Sequence, residues 1–417
     1  MSVIDERIIG YEEEKKILKR LSSILRKHEE LERDGISLPK GLLLSGLPGV
    51  GKSTMAEAFA EETGWRKTVF HNIDSSFNEA LNRAFEAAKG KQPSIIILED
   101  MHQYAEYPRS TEWSAVQAQI DNIKNEKVFV IATINNNDNI PESLLRVGRF
   151  DYDLEIKAPT GDTAEQIVKS YLKNTPIADD IVFSDISEAL TGHSTSTLEV
   201  LANTANRNRI VRGSNVIEKN DFIEALHHIV YKSKPCSIDD PDNFQVSLHE
   251  AGHVVVSEIL CPDSVAFVTL CSNDSGQKGF TIYKGDDGVS TLDEIQSKAA
   301  ISLAGKAAVE LNIGFDVGAV NDIERAERQL NVALSQMASN GFKHSASVRS
   351  TSERLYDENE VVMAAKLEDA YRIARTVIIE NRNFLDAVQK AILEKKSLLA
   401  SEIQQIKKEV YAEQGRY

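Results

Sequence analysis

The 417-residue sequence predicts an α/β fold in which a parallel five-stranded sheet with crossover helices is followed by a small helical unit and then a mainly α domain. Three observations carry this expectation. Up to about Pro159, short β-branched runs alternate with helical patterns, as they do in strand–helix–strand units of a parallel sheet. From Thr163 to about Tyr231 the apolar spacing is helical throughout, with breaks at Gly192 and Gly213. The stretch from Lys232 to Asp242 combines two prolines with a charge cluster and reads as a linker, after which helical patterning resumes. The expected domains are therefore residues 1–158, 159–235 and 236–417, a division suited to a chain longer than one core usually holds.

The expected strands are Leu42 to Ser45, Lys67 to Phe70, Ser94 to Leu98, Val128 to Thr133 and Tyr152 to Ile156. The first runs into Gly46-Leu47-Pro48-Gly49-Val50-Gly51-Lys52-Ser53, with a helix beginning near Thr54. Glycines at this spacing let consecutive amides turn inward on an anion, and the helix start adds positive potential. Lys52 reaches the outer phosphates and Ser53 can hold magnesium. ATP and Mg2+ are the expected ligands. The third strand ends in Glu99-Asp100. In nucleoside triphosphatases an Asp normally comes first, supporting magnesium, and a Glu next, orienting the attacking water. Here the order is reversed, which moves each carboxylate by one methylene, on the order of 1 Å. Misplacement of that size can cost about a hundredfold in rate, so slow hydrolysis is expected.

The second motif is His249-Glu250-Ala251-Gly252-His253, continued by the apolar run Val254 to Leu260. Residues four apart stack on one helix face, so both imidazoles can address one metal while Glu250 sits over its bound water. Zinc is the expected ion. A catalytic zinc also needs a third protein ligand, and residue type alone does not choose among the many carboxylates that follow.

Composition narrows the classes. With 41% hydrophobic and 27% charged residues the chain is that of an ordinary soluble protein, and a net charge of -16 repels phosphate backbones, which argues against nucleic acid as a partner. The longest apolar runs, Gly41 to Leu44 and Ser94 to Leu98, are strand-sized, so no membrane insertion is expected. The first residues show no signal pattern. Cys236, Cys261 and Cys271 are odd in number and lack thiolate-metal spacing, which predicts free thiols and a cytoplasmic setting. His227 and His228 read as surface residues, and His193 as non-catalytic.

Taken together, these motifs resemble the AAA+ zinc metalloproteases of the FtsH type over nearly the whole chain. The resemblance implies that Ile9 and Gly10, ahead of the first long helix, join Pro48, Gly49, Val50, Gly51, Lys52, Ser53, Thr54, Glu99 and Asp100 at the nucleotide. It makes Asn135 a γ-phosphate sensor. The run Leu144 to Asp151 looks like the family's arginine-finger segment, with Arg146 and Arg149 reaching the neighbouring subunit's nucleotide, which implies a homohexamer. Gly192-His193-Ser194 falls where the family's helical lid meets nucleotide, although Thr195-Ser196 replaces a small Gly-Ala pair.

In the third domain, Leu303 to Leu311 and Gly318 to Asp322 look like the stretch ending in the family's aspartate ligand. Asp322 is then the third metal residue, at a helix start whose dipole favours its anion. Glu310 is a candidate to support the ligands, with Val309 where the family often has a second acid. Gly279 to Tyr283 reads either as a strand edge that pairs with extended substrate, as the resemblance suggests, or as a purely structural hairpin. Asn381 through Phe384, Leu385, Ile392 and Leu393 reads as packed helices. Two departures stand out. In place of the family's aromatic pore loop the chain has a shortened Ile73-Asp74-Ser75-Ser76-Phe77-Asn78-Glu79, with Phe77 as the nearest substitute. The family's N-terminal membrane helices are missing, which predicts a soluble ring.

The function expected is ATP-dependent zinc endopeptidase action on unfolded or tagged polypeptides. In it His249, His253 and Asp322 hold zinc, and Glu250 takes a proton from water and returns it to the leaving amine. The alternatives are a zinc peptidase whose nucleotide site only assembles the ring, and a nonenzymatic ATP-binding scaffold.

Overall fold

The structure, a computed structural model, describes all residues except 1, 71–75, 106, 137–139, 234–239, 273–277, 286–290, 316–317, 340–352 and 414–417, and the side chains of 335–339 and 353–359. The expected linker lies largely in these gaps, as do Ile73, Asp74 and Ser75 of the shortened pore-loop segment. The chain forms two compact units, one of Met1–Pro176 with Leu190–Arg207, the other of Ile177–Ala189 with Asn208–Tyr417.

The first unit is built on five parallel strands, β1 (Gly41–Ser45), β2 (Arg66–Val69), β3 (Ser94–Leu98), β4 (Val128–Ile134) and β5 (Tyr152–Glu155), in the order β2-β3-β4-β1-β5. All five strands expected from the sequence are present. Every residue of β1, β3 and β4 is buried, as parallel strands covered by helices on both faces require. The chain leaves β1 in the sheet interior and returns at the far edge as β2. Ligands of such sheets bind outside the carboxyl ends of the strands near that change of direction. The phosphate loop, the Glu99–Asp100 pair and Asn135 all follow carboxyl ends, those of β1, β3 and β4.

The second unit is mainly helical. Around the buried helix Asn243–Leu260 pack Ala304–Asn312, Glu353–Glu380 and Arg382–Lys395, and the core joins Val254, Val255, Ala304, Ala308, Phe384 and Leu385. Phe384, Leu385 and Ile392 are fully buried, as the apolar spacing predicts. A three-stranded antiparallel sheet is added, with β6 (Val265–Thr269) between β7 (Phe280–Tyr283) and β8 (Ser397–Leu399). Among the described residues no helix is long and apolar enough to cross a membrane.

Two expectations about single residues need correction. His228 is exposed, but His227 is half-buried, with Nδ1 3.1 Å from Ser233 Oγ, Nε2 3.0 Å from Ser397 Oγ and its ring against Phe267. Adjacent helical residues point about 100° apart, so when one faces water the other meets the core. Cys261 is in no disulfide, whereas Cys271 is disulfide-bonded, and Cys236 lies outside the described residues. Parity and spacing along a chain do not determine which thiols the fold brings within bonding distance.

Candidate active sites: a phosphate loop and a metal-binding helix

In the first unit, the loop after β1 closes around its own lysine. Gly46 has φ of +143°, and a β-carbon there would lie 2.1 Å from the Ile156 carbonyl oxygen, so only glycine fits beside β5. Lys52 Nζ donates to the carbonyls of Gly46 (2.8 Å) and Leu47 (3.0 Å) and to Asn135 Oδ1 (2.9 Å). Burial lowers the Lys52 pKa, with the nearby Asp100 opposing. Asn135 Nδ2 lies 2.8 Å from His102 Nε2, and the Asp100 amide donates to Thr133 Oγ1 (2.8 Å).

A cavity of about 510 Å3 opens over the loop. Of the residues expected at the nucleotide, Pro48, Gly49, Gly51, Lys52, Ser53, Thr54, Asp100 and Asn135 line it, together with Thr195, Ser196 and Glu199 from the lid segment. Val50 is buried and, with Ile9, Gly10 and Glu99, lies outside the lining. The segment of Ile9 and Gly10 nonetheless reaches the same region, because the Tyr11 hydroxyl lies 3.2 Å from both the Lys157 carbonyl and Thr195 Oγ1. Arg149 is held inside its own subunit by a two-pronged ion pair with Asp121 (3.0 and 2.9 Å), while Arg146 is exposed. Phe77 opens a helix and packs edge-on against Phe70 and beside Tyr104. The sequence reading missed His102, which lines the cavity two residues past Asp100. A single histidine beside an acid pair carries no spacing signal.

In the second unit, the buried helix Asn243–Leu260 aims His249 and His253 at Asp322, which lies in the first turn of the helix Val320–Ser339. The two Nε2 atoms are 3.2 Å apart, and Asp322 Oδ2 is 3.0 Å from His249 Nε2 and 3.3 Å from His253 Nε2. His253 Nδ1 lies 2.8 Å from the Ile301 carbonyl, which fixes the hydrogen on Nδ1 and leaves a lone pair on Nε2. That lone pair confronts a carboxylate oxygen and a second imidazole, an arrangement that a cation relieves. Two neutral imidazoles and one carboxylate also form a usual donor set for zinc, so these residues fit the metal.

The surroundings hold the ligands in place. A β-carbon on Gly305 would lie 2.4 Å from His249 Nε2, so this glycine lets the imidazole lie against the neighbouring helix. Burial opposes ionisation of Asp322, but the two imidazoles outweigh it and hold its carboxyl well below the usual range. Glu250 is buried, which pushes its pKa up against the opposing pull of His249 and His253, and it accepts a hydrogen bond from Thr281 Oγ1 (2.7 Å). Thr281 belongs to β7, an edge strand of the small sheet, and β7 walls a cavity of about 410 Å3 with His249, Glu250, His253 and Asp322. Glu310 accepts from Lys306 (2.5 Å) and from the Tyr371 hydroxyl. Thr281 and Arg325, which also lines this cavity, were missed in the sequence, since neither belongs to a spaced motif.

A phosphate-loop sheet and a helix carrying two histidines that meet a distant aspartate define a class, an ATPase joined in one chain to a zinc metallopeptidase. Residues 42–158 match the ATPase family associated with various cellular activities (AAA), and residues 237–406 match peptidase family M41. The ATP-dependent zinc metalloprotease FtsH 2 of Thermoanaerobacter sp. is 25% identical over 95% of this chain and 81% of its own length. FtsH of Halothermothrix orenii is 25% identical, over 94% of this chain and 68% of its own. FtsH of Mycoplasmoides gallisepticum is 27% identical, over 96% and 57%. The chain belongs to the FtsH-type AAA+ zinc metalloproteases. Zinc, ATP and magnesium are the cofactors of that family, and the alternatives of a merely ring-assembling nucleotide site or a scaffold are not favoured.

Proposed function

We propose that this zinc metalloprotease degrades unfolded or tagged polypeptides from a homohexameric ring, with ATP hydrolysis feeding substrate to the peptidase site. The observation that carries the reading is the meeting of His249, His253 and Asp322 within 3.3 Å, with Glu250 on the same helix. Bound by these three residues, zinc would supply a Lewis acid that acidifies water and polarises the peptide carbonyl. Every other role falls to the chain itself. Glu250 takes the proton from the attacking water and passes it to the leaving amine. Burial raises its pKa, the direction that helps it keep the proton between the two transfers. Thr281 holds the Glu250 carboxylate in position, and β7, whose outer edge is unpaired among the described residues, offers a line along which an extended polypeptide can lie.

At the nucleotide, Lys52 and the loop amides cradle the phosphates, Ser53 holds magnesium and Asn135 senses the γ-phosphate. In the ring, Arg146 would act on the neighbouring subunit's nucleotide, while Arg149, paired with Asp121 in its own chain, would hold that segment in place. Casein cleavage measured with ATP, with a nonhydrolysable analogue and without nucleotide tests the proposal, with Glu250→Gln as control. Cleavage is expected with ATP alone, and Glu250→Gln should abolish it. Equal cleavage in all three conditions would remove ATP dependence.

A further inference from the structure

Beside the cavity at the metal-binding helix lies a second one, of about 580 Å3, and the two share Tyr283 and Arg325 as walls. Ile301, whose carbonyl fixes His253, lines the second cavity, as do Lys284, Glu294 and Lys298. Arg325 stands three residues after Asp322 on the same helix, so both project from one face of it. Its guanidinium lies over the Tyr283 ring, 5.7 Å from the centroid, at the boundary between the two spaces.

Charge pairing sets Arg325 apart from the other walls. Lys284 bridges Glu188 (3.0 Å) and Asp263 (2.6 Å), and the Glu294 carboxylate accepts the Thr291 amide at a helix start (2.7 Å). Arg325 is exposed and, among the described residues, makes no ion pair with a carboxylate. Exposed arginines are ordinary on protein surfaces. This one stands one helical turn from a metal ligand, in a cavity wall next to the peptidase site, with the planar fork that binds a carboxylate through two bonds.

We propose that the second cavity is a substrate side-chain subsite for acidic residues, in which Arg325 reads an aspartate or glutamate close to the scissile bond. The inference rests on the peptidase reading and deepens it. An acidic side chain entering the cavity gains the guanidinium without disturbing an existing pair, whereas a lysine or arginine is repelled. Exposed ion pairs contribute modestly, so the preference for an acidic over a neutral residue is about three- to fivefold.

The test is digestion of a mixed peptide library by the zinc-loaded full chain, its Arg325→Ala variant and its Arg325→Glu variant, with cleavage positions read by mass spectrometry. Zinc content is measured in each. The wild type should enrich Asp and Glu about three- to fivefold at one position near the cut, Arg325→Ala should lose the enrichment, and Arg325→Glu should favour Lys and Arg there. A second arm uses fluorescent peptides carrying one Asp, Ala or Lys. Their binding to the Glu250→Gln chain, with and without Arg325→Glu, should show the same reversal by anisotropy.

Cleavage with no acidic preference, or with one that survives Arg325→Glu, overturns the subsite while leaving the peptidase intact. A uniform fall in kcat for all sequences in Arg325→Ala also overturns it, because the arginine would then act on the reacting carbonyl. If the wild type cuts no peptide, the peptidase reading fails first and the subsite falls with it.

Discussion

Gly305 shows how far the proposed metal site depends on residues that would never touch the metal. In an exposed helix, replacing glycine by alanine stabilises by about 0.5–1 kcal/mol. At this position the added methyl would lie 2.4 Å from His249 Nε2, and the imidazole would have to leave the point where it meets Asp322. Gly305→Ala is therefore expected to weaken zinc binding about ten- to a hundredfold. Competition with a chromophoric chelator measures this, and unchanged affinity would mean that the ring is not confined as described. At the same scale, Asp100 lines the nucleotide cavity while Glu99 does not. Of the reversed pair, it is thus the shorter acid that lines the cavity over the phosphate loop.

Among the elements, β8 and the turn of helix bearing His227 make a joint with a definite pH dependence. Burial lowers the His227 pKa from 6.5 to about 4, which keeps the ring neutral between Ser233 and Ser397. Above pH 6.5 neither the folded nor the unfolded state carries this proton, and the contribution is fully present. As pH falls from about 6.5 to 4 the unfolded chain takes up a proton that the folded chain refuses, and up to about 3 kcal/mol is lost. Amide exchange in β6 and β8, corrected for intrinsic rates, is expected to lose protection between pH 7 and 4.5 in the wild type. It should lose much less in His227→Gln. Equal losses would place the titrating group elsewhere. The strand β7 belongs to the same sheet, and among the described residues its outer edge pairs with no further strand.

For the whole molecule, the proposed ring turns on the segment around Arg146. Arg149 is anchored to Asp121 in its own chain, whereas Arg146 is exposed beside Val147, which is 96% exposed. An apolar residue and a cation presented together suit a subunit boundary. Arginine fingers contribute about a thousandfold or more to hydrolysis. Arg146→Ala should accordingly lower ATPase turnover by at least about a hundredfold while nucleotide binding persists. Mixing it with Lys52→Ala subunits should restore activity above either alone, because each defect lies on a different side of a shared site. Failure to complement would count against action across subunits.

Much of this protein was legible before any tertiary structure. The phosphate loop, the buried parallel strands and the two histidines four residues apart are local patterns, set by helix and strand periodicity and by backbone geometry that only certain residues adopt. Asp322 is different, since it lies 69 positions beyond His253 and spacing alone could not choose it; the resemblance did, and the fold brings it within 3.3 Å. What only the tertiary structure decided are meetings between residues far apart in the chain. Gly305 lies against His249, Thr281 reaches Glu250, and Arg325 comes to stand between two cavities. His227 turned out to be packed, because which face of a short helix is covered depends on what folds onto it. Local sequence sets the periodicity of each element, whereas close packing of distant elements determines which side chains share a site.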